Sequence, residues 1–275
     1  MTTPLLEARD LTVHFHSKHG PPVRAVQHVT LSVNQGETLG IVGESGSGKS
    51  TLGRALLQLI RPTSGQVWFQ GEELTGYWRR RFGRWRWDKP LRDLRQHMQV
   101  IFQDPYASLD PRMNVCDIIT EPLVIFGKPT HDARRKSAHA LMERVGLDPR
   151  YAQRYPHQFS GGQRQRIGIA RALALQPKLI VCDEPLSALD VSIQAQIMLL
   201  MQELQRDFGL TYIFIAHDLA SVRYMSNRVA VMHLGEFVEY GSVETIYDHP
   251  QHSYTQALLK AASARNRTTT RDSSY

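Results

Sequence analysis

One run of nine residues constrains this chain more than anything else in it. A short strand-like stretch, residues 39–42, leads directly into Gly43-Glu44-Ser45-Gly46-Ser47-Gly48-Lys49-Ser50-Thr51, and a helical pattern follows over residues 51–60. The run fits G-x-x-x-x-G-K-[ST] in its required context of strand before and helix after. Glycines let backbone N–H groups wrap a phosphate, a lysine placed as Lys49 is meets the β- and γ-oxygens, and a hydroxyl placed as that of Ser50 ligates Mg²⁺. A glycine-rich turn with no ligand is the plain alternative, and the flanking elements weigh against it. The loop asks for a strand whose carboxyl end opens on a ligand, the geometry of a parallel sheet covered by helices.

The rest of the pattern agrees. From residue 177 onward, segments rich in apolar and β-branched residues alternate with segments of helical period. Residues 5–16, 25–33 and 66–70 read as short strands around turn signals, and predict an antiparallel patch. The strand signal vanishes between residues 105 and 176, where 132–145 and 163–175 read as helices. The expected organisation is one α/β domain over residues 1–262, with a helical subdomain at about 105–176 inserted in it and a disordered tail over 263–275.

Three further apolar runs end in polar residues on the edge where a ligand would lie. Leu179-Ile180-Val181-Cys182, bounded by Pro177 and Pro185, precedes Asp183 and Glu184. Beside a phosphate loop, Asp183 suits a Mg²⁺ ligand, directly or through water, and Glu184 suits a base that polarises an attacking water. Without that loop, Asp183 reads as the cap of the next helix. Val100-Ile101-Phe102 precedes Gln103, and residues 212–216 precede His217. A lone Gln or His at a strand end is ordinarily structural; only its position on this edge raises it.

Phe159-Ser160-Gly161-Gly162-Gln163-Arg164-Gln165-Arg166 opens the helix that runs to residue 175. Ser160 and Gln163 form an S-x-x-Q capping box, and bare N–H groups at the positive end of a helix suit an anion. Two adjacent glycines weaken a helix, so something must need to approach closely. The string resembles the signature motif of ABC transporter ATPases, usually LSGGQ, with Phe159 in place of Leu. Over residues 5–259 the remaining strings then match that family in its order. They are the phosphate loop, Gln103 as the Q-loop, the signature, Asp183 with Glu184, Ser187-Ala188-Leu189-Asp190 as the D-loop, and His217 as the switch histidine.

The resemblance implies a P-loop ATPase core with a mostly parallel sheet, an N-terminal antiparallel β patch and an inserted helical subdomain. It implies ATP hydrolysis coupled to transmembrane transport, with ATP and Mg²⁺ as ligands. Two such domains would face head to tail, ATP on the Lys49 side of one being closed over by Ser160, Gly161, Gly162 and Gln163 of the other. Glu184 would activate water, His217 would hold the γ-phosphate and Gln103 would sense Mg²⁺ and nucleotide. Asp190 would line the nucleotide site. Phe15 would stack on adenine, or be simply a half-buried strand residue.

Other strings resemble one subfamily, the ATPases of oligopeptide, dipeptide and nickel importers. These are Ile101-Phe102-Gln103-Asp104-Pro105, Ala107-Ser108-Leu109-Asp110-Pro111-Arg112, Arg154-Tyr155-Pro156-His157, residues 188–196, and the ending from His249-Pro250 to Ala257-Leu258. Within it the chain is similar to the second, F-type ATPase of a heterodimeric pair; a homodimer stays open. Importers of this kind place the ATPases on the cytoplasmic face of the plasma membrane, with two permease subunits and, indirectly, an external solute-binding protein. Peptide cargo is the main reading, and nickel or a metal chelate is the alternative. A soluble ABC ATPase acting on nucleic acid is the contrasting class, and the single ATPase domain without coiled-coil or zinc insertions speaks against it. No nucleic-acid partner is therefore expected. A regulator without activity is disfavoured by the presence of Lys49, Asp183, Glu184 and His217.

Composition excludes other classes. Apolar residues at 41% and charged residues at 21% are ordinary for a globular chain, and no run approaches the ~20 apolar residues that cross a bilayer. Residues 1–10 lack the apolar core of a signal peptide, so the chain is expected to serve a membrane from outside the lipid. Cys116 and Cys182 have no metal-ligand spacing and suit free thiols in a reducing cytosol. Two departures from the subfamily stand out. Ser253 lies where such endings usually have Pro, and the sequence lacks the cysteine-bearing extension after residue 259 that serves an iron–sulfur cluster in some relatives, so no cluster is expected. Residues 77–89 (YWRRRFGRWRWDK) set six cations against Asp88 alone, and so hold +5 of the chain's +7. A solvated insertion, contact with anionic lipid and contact with nucleic acid are the three readings of that segment. His14, His16 and His19 suit strand alternation and a turn better than a metal site.

Overall fold

The computed structural model describes residues 3–16, 20–81, 84–104, 106–127 and 130–269. His19, Pro105 and the last part of the expected tail, 270–275, lie outside the described residues. Two units make up the chain: Met1–Asp88 with Ile213–Tyr275, and Lys89–Tyr212. The first unit opens with β1 (Leu6–Phe15), β2 (Val23–Val33), β3 (Thr38–Val42), α1 (Lys49–Leu56), β4 (Ser64–Phe69), β5 (Glu72–Glu73), β6 (Trp78–Arg81) and β7 (Arg84–Trp87). The second contains α2 (Lys89–Leu94), β8 (Met98–Ile101), α3 (Val115–Ile125), α4 (His131–Arg144), α5 (Gly161–Leu173), β9 (Leu179–Asp183) and α6 (Val191–Phe208). The chain returns to the first unit through β10 (Thr211–Ala216), then forms α7 (Leu219–Met225), β11 (Arg228–His233), β12 (Glu236–Ser242), α8 (Val243–Asp248) and α9 (Ser253–Thr269).

In the first unit, β1 pairs antiparallel with β2 on one side and β4 on the other, Leu6 lying opposite both Val33 and Phe69. This is the antiparallel patch expected from the turn-bounded strands; Leu6, Ala8, Leu11 and Val13 bury its inner face. β3 runs parallel to β11, from Leu39 opposite Arg228 to Val42 opposite Val231, and β12 closes on β11 antiparallel. All five residues of β3 are buried, as a strand covered on both faces requires. That double burial is why its sequence reads as an apolar run rather than an alternation.

Residues 77–89 contain a separate two-stranded ribbon, in which β6 and β7 pair Trp78 with Trp87, Arg79 with Arg86, and Arg81 with Arg84. The Trp78 indole N–H donates to Oε1 of the buried Gln58 at 2.7 Å. Arg79 and Asp88 approach at 3.4 Å, with Arg79 60% exposed, so their attraction is largely screened.

In the second unit, β8 and β9 are parallel and in register from Met98 opposite Leu179 to Ile101 opposite Cys182. No strand interrupts the described residues between them. α4 and α5 fall where helices are expected. α3 is the helix the sequence does not announce: Pro122 sits inside it, and a proline after Glu121 reads as a helix end. Burial of Ile118, Ile119 and Leu123 stabilises it nonetheless, with Leu123, Ala174 and Leu175 forming a cluster on which Phe126 and Leu141 pack. At the far end of the chain α9 continues to Thr269, so helix extends into the segment expected to be disordered. Both cysteines are free and buried.

Candidate functional site

The glycine-rich turn joins the buried end of β3 to α1, and its immediate neighbours dictate two of its glycines. A Cβ at Gly43 would lie 2.1 Å from the Met232 carbonyl oxygen, and one at Gly48 would lie 2.0 Å from that of Ala25. Glu44, Ser45 and Gly46 form the exposed crest, while Ser47 is buried. Lys49 is 4% exposed. Its ammonium turns back into the loop, donating to the carbonyls of Gly43 and Glu44 at 2.8 Å each. Ser50 and Thr51 follow in the first turn of α1. A glycine-rich turn, a helix N-terminus and a buried ammonium thus share one short segment, which suits a phosphate chain.

Two other predicted residues of this unit end strands. His217 follows the fully buried β10 and is exposed; the next residue, Asp218, caps α7 by accepting from the N–H groups of Ala220 and Ser221. Phe15 is the last residue of β1, opposite Val23, and 46% exposed.

In the second unit, Gln103 and Glu184 meet. The Gln103 side-chain N–H donates to the Glu184 carboxylate at 2.9 Å, across 81 positions of sequence. Glu184 has φ +47°, a left-handed backbone rarely adopted by a non-glycine residue. Its carbonyl accepts from the Ser187 hydroxyl at 3.1 Å. Asp183 ends β9 and is 5% exposed. It is not the cap of the following helix: that cap is Asp190, whose carboxylate accepts from Ile193 N–H at 3.0 Å. The Ser192 hydroxyl and that same N–H hold Asp190 below the ordinary carboxylate range. Burial pushes the Cys182 thiol up, so it is an inert neighbour.

The capping box of α5 is formed. Ser160 Oγ accepts from Gln163 N–H at 3.3 Å, and Gln163 Oε1 accepts from Ser160 N–H at 3.0 Å. Its two glycines prove unlike each other. A Cβ at Gly162 would lie 2.6 Å from Ile193 Cγ2, whereas one at Gly161 would meet nothing nearer than Leu189 Cδ2 at 3.4 Å. Packing of α5 against the start of α6 therefore demands Gly162. Gly161 has room within the chain and stays bare for another reason. Ile193 drew no separate remark within residues 188–196, one of the strings that resemble the importer ATPases. Tyr254, whose hydroxyl reaches the phosphate loop, lay unremarked within the ending that resembles the importer ATPases.

The chain is similar to known proteins over most of its length. Residues 26–187 match the family described as ABC transporter. The chain is 52% identical over 262 residues to the oligopeptide transport ATP-binding protein OppF of Bacillus subtilis, covering 95% of this chain and 83% of that one. It is 53% identical over 268 residues to OppF of Escherichia coli, covering 94% and 77%. The glutathione import ATP-binding protein GsiA of Shigella boydii is 51% identical over 267 residues, which are 94% of this chain and 41% of that one. Among solved structures, the dimeric post-hydrolysis state of the ATP-binding cassette MJ0796 bound to ADP and Pi superposes with a TM-score of 0.75 at 29% identity, covering 86% of this chain and 98% of that one. CbiO1 of Clostridium perfringens, part of the transporter complex cbiONQ, gives a TM-score of 0.75 at 26% identity, covering 90% and 91%.

Proposed function

Because the chain belongs to the ABC transporter family, we propose that it is the ATP-hydrolysing subunit of an importer for di- and oligopeptides. The observation that carries the peptide reading is the identity of about half of all positions to oligopeptide-transport ATP-binding proteins, over more than three quarters of their lengths. A nickel or metal-chelate cargo is the alternative within the same subfamily. The protein works at the cytoplasmic face of the membrane, bound to two permease subunits and paired with a second ABC ATPase, and it receives cargo that an external solute-binding protein delivers. Nucleic acid is not among its partners. Residues 1–262 act as one ATPase domain in which the helices of about 105–176 form a subdomain.

In this reading each site residue has one task. The remaining N–H groups of residues 43–51, apart from that of Glu44, which Tyr254 accepts, and that of Ser47, donated to the Glu44 carbonyl, bind the β- and γ-phosphates with the Lys49 ammonium, and Phe15 stacks on adenine. Ser50, Asp183 and Gln103 are oxygen donors, the set a hard cation prefers, and so fit Mg²⁺. Held there with the nucleotide, the ion would supply neutralisation of charge building on the phosphates. Glu184 accepts a proton from the attacking water; the new P–O bond forms as the β–γ bridge breaks and ADP leaves. His217 orients the γ-phosphate. Ser160, Gly161, Gly162 and Gln163 close over the nucleotide of the partner ATPase, Gly161 leaving the N–H end of α5 bare for it, and Asp190 lines the nucleotide site.

Glu184→Gln tests the assignment. The variant should bind ATP as the parent does, lose at least about 10²-fold in turnover, and accumulate as an ATP-bound dimer on size exclusion. Turnover at the parental rate would remove Glu184 from the role of base.

A further inference from the structure

We propose that Tyr254, at the start of α9, is a positioning residue that fixes the phosphate loop and thereby sets the place of the Lys49 ammonium. Its phenol oxygen accepts the Glu44 backbone N–H at 3.1 Å. That N–H belongs to the same planar peptide as the Gly43 carbonyl, which accepts from the Lys49 ammonium at 2.8 Å. A peptide unit rotates as a whole. Turning the carbonyl away from Lys49 would therefore break the bond to Tyr254, and losing that bond frees the carbonyl to turn.

The hold on the loop is double, and one stretch of chain supplies both halves. The Tyr254 ring lies against the His233 imidazole, centroids 3.9 Å apart and planes at 33°. His233 ends β11 and leads into Leu234-Gly235, where Gly235 N–H donates to the Ser47 carbonyl at 3.0 Å. That turn is itself pinned: Gln27 donates its backbone N–H to the Gly235 carbonyl at 2.8 Å and its side-chain N–H to the Leu234 carbonyl at 3.0 Å. The loop is thus gripped at Glu44 and at Ser47, and the aromatic contact ties the two grips together. The start of α9 is anchored as firmly. The Glu239 carboxylate accepts from Gln251 N–H at 2.7 Å and from His252 N–H at 3.2 Å, and Tyr254 N–H donates to His252 Nδ1 at 3.1 Å. Burial raises the Tyr254 phenol above its ordinary range, so it stays uncharged beside the loop.

A phosphate loop binds by presenting N–H groups in fixed directions, and a loop that must be ordered first gives up affinity. The inference rests on the reading that this loop binds nucleotide, and the test separates the two. Tyr254→Phe keeps the ring against His233 and removes only the acceptor. In the full-length chain, calorimetric titration with Mg-ADP should give a Kd about 5-fold higher in the variant. In the assembled complex KM for ATP should rise by a similar factor, with kcat within about twofold. By reciprocity, bound Mg-ADP should slow amide exchange across residues 250–260 in the parent, and do so less in Tyr254→Phe. A parent that binds no Mg-ADP would overturn the nucleotide reading itself. A parent that binds it normally while Tyr254→Phe matches its Kd within twofold, or nucleotide protection of residues 250–260 that is equal in the two proteins, would overturn the role of Tyr254.

Discussion

At the residue scale, the chemistry of this chain was legible where a polar residue directly follows a buried strand. Gln103, Glu184 and His217 become candidates that way and Lys49 through the glycine-rich loop, beside which the two carboxylates after residues 179–182 point to a ligand edge rather than to a helix cap. Partners distant in sequence were not legible. Nothing near Gly162 names Ile193, and nothing in the phosphate loop names a tyrosine 210 positions away. The case of Gly162 also revises an argument: its bareness follows from Ile193 Cγ2, 2.6 Å from where a Cβ would stand, before any nucleotide is considered. Gly162→Ala should therefore lose about 1–3 kcal/mol of stability in urea unfolding without nucleotide, and Ile193→Ala in the same chain should restore part of the loss. Unchanged stability in the single variant would show that α5 and α6 shift to make room. Any effect of a bulky residue at 162 on turnover must be read against that loss.

At the scale of elements, strands and capped helices were legible and the exceptions have physical causes. The S-x-x-Q string marked the start of α5 because its two hydrogen bonds are local. α3 was hidden because Pro122 is a local signal for an ending, while the burial of Ile118, Ile119 and Leu123 that stabilises the helix is not local. The ribbon of β6 and β7 lies in the segment whose readings are a solvated insertion, lipid contact and nucleic-acid contact, since its arginines carry no strand signal; its tryptophans pair across it only at Trp78 and Trp87. α9 begins at Ser253, the first helical position, where proline is accepted because the N–H there has no acceptor within the helix. Ser253→Pro should accordingly raise Tm by about 1–3 °C in a thermal scan. A fall in Tm would mean that the Ser253 N–H or the local backbone does something a proline cannot.

At the scale of the whole molecule, the sequence yielded the class of fold and the family, because each motif sits on an element of the right type. The division into two units was less visible: the expected insertion began near residue 105, whereas the second unit starts at Lys89 and takes in β8, β9 and α6. Pairing of β8 with β9 depends on residues some eighty positions apart, and no window of sequence displays it. Among the described residues no helix is long and apolar enough to cross a membrane. If the proposed pairing with permeases holds, co-expressing them should raise the share of the protein that sediments with membranes on fractionation of cells. Sedimentation regardless of the permeases would mean that it has its own hold on lipid.

The register of β8 on β9 has one more implication. Ile101 stands opposite Cys182, so the register of the two strands brings their carboxyl ends side by side, and Gln103 and Glu184, each two places beyond that pair, meet there at 2.9 Å. Since side chains alternate along a strand, one residue gained or lost inside either strand would turn the amide and the carboxylate to opposite faces. Upstream of Met98 no such restriction applies. A ribbon such as that of residues 77–89 can therefore change in length without disturbing the alignment of Gln103 with Glu184.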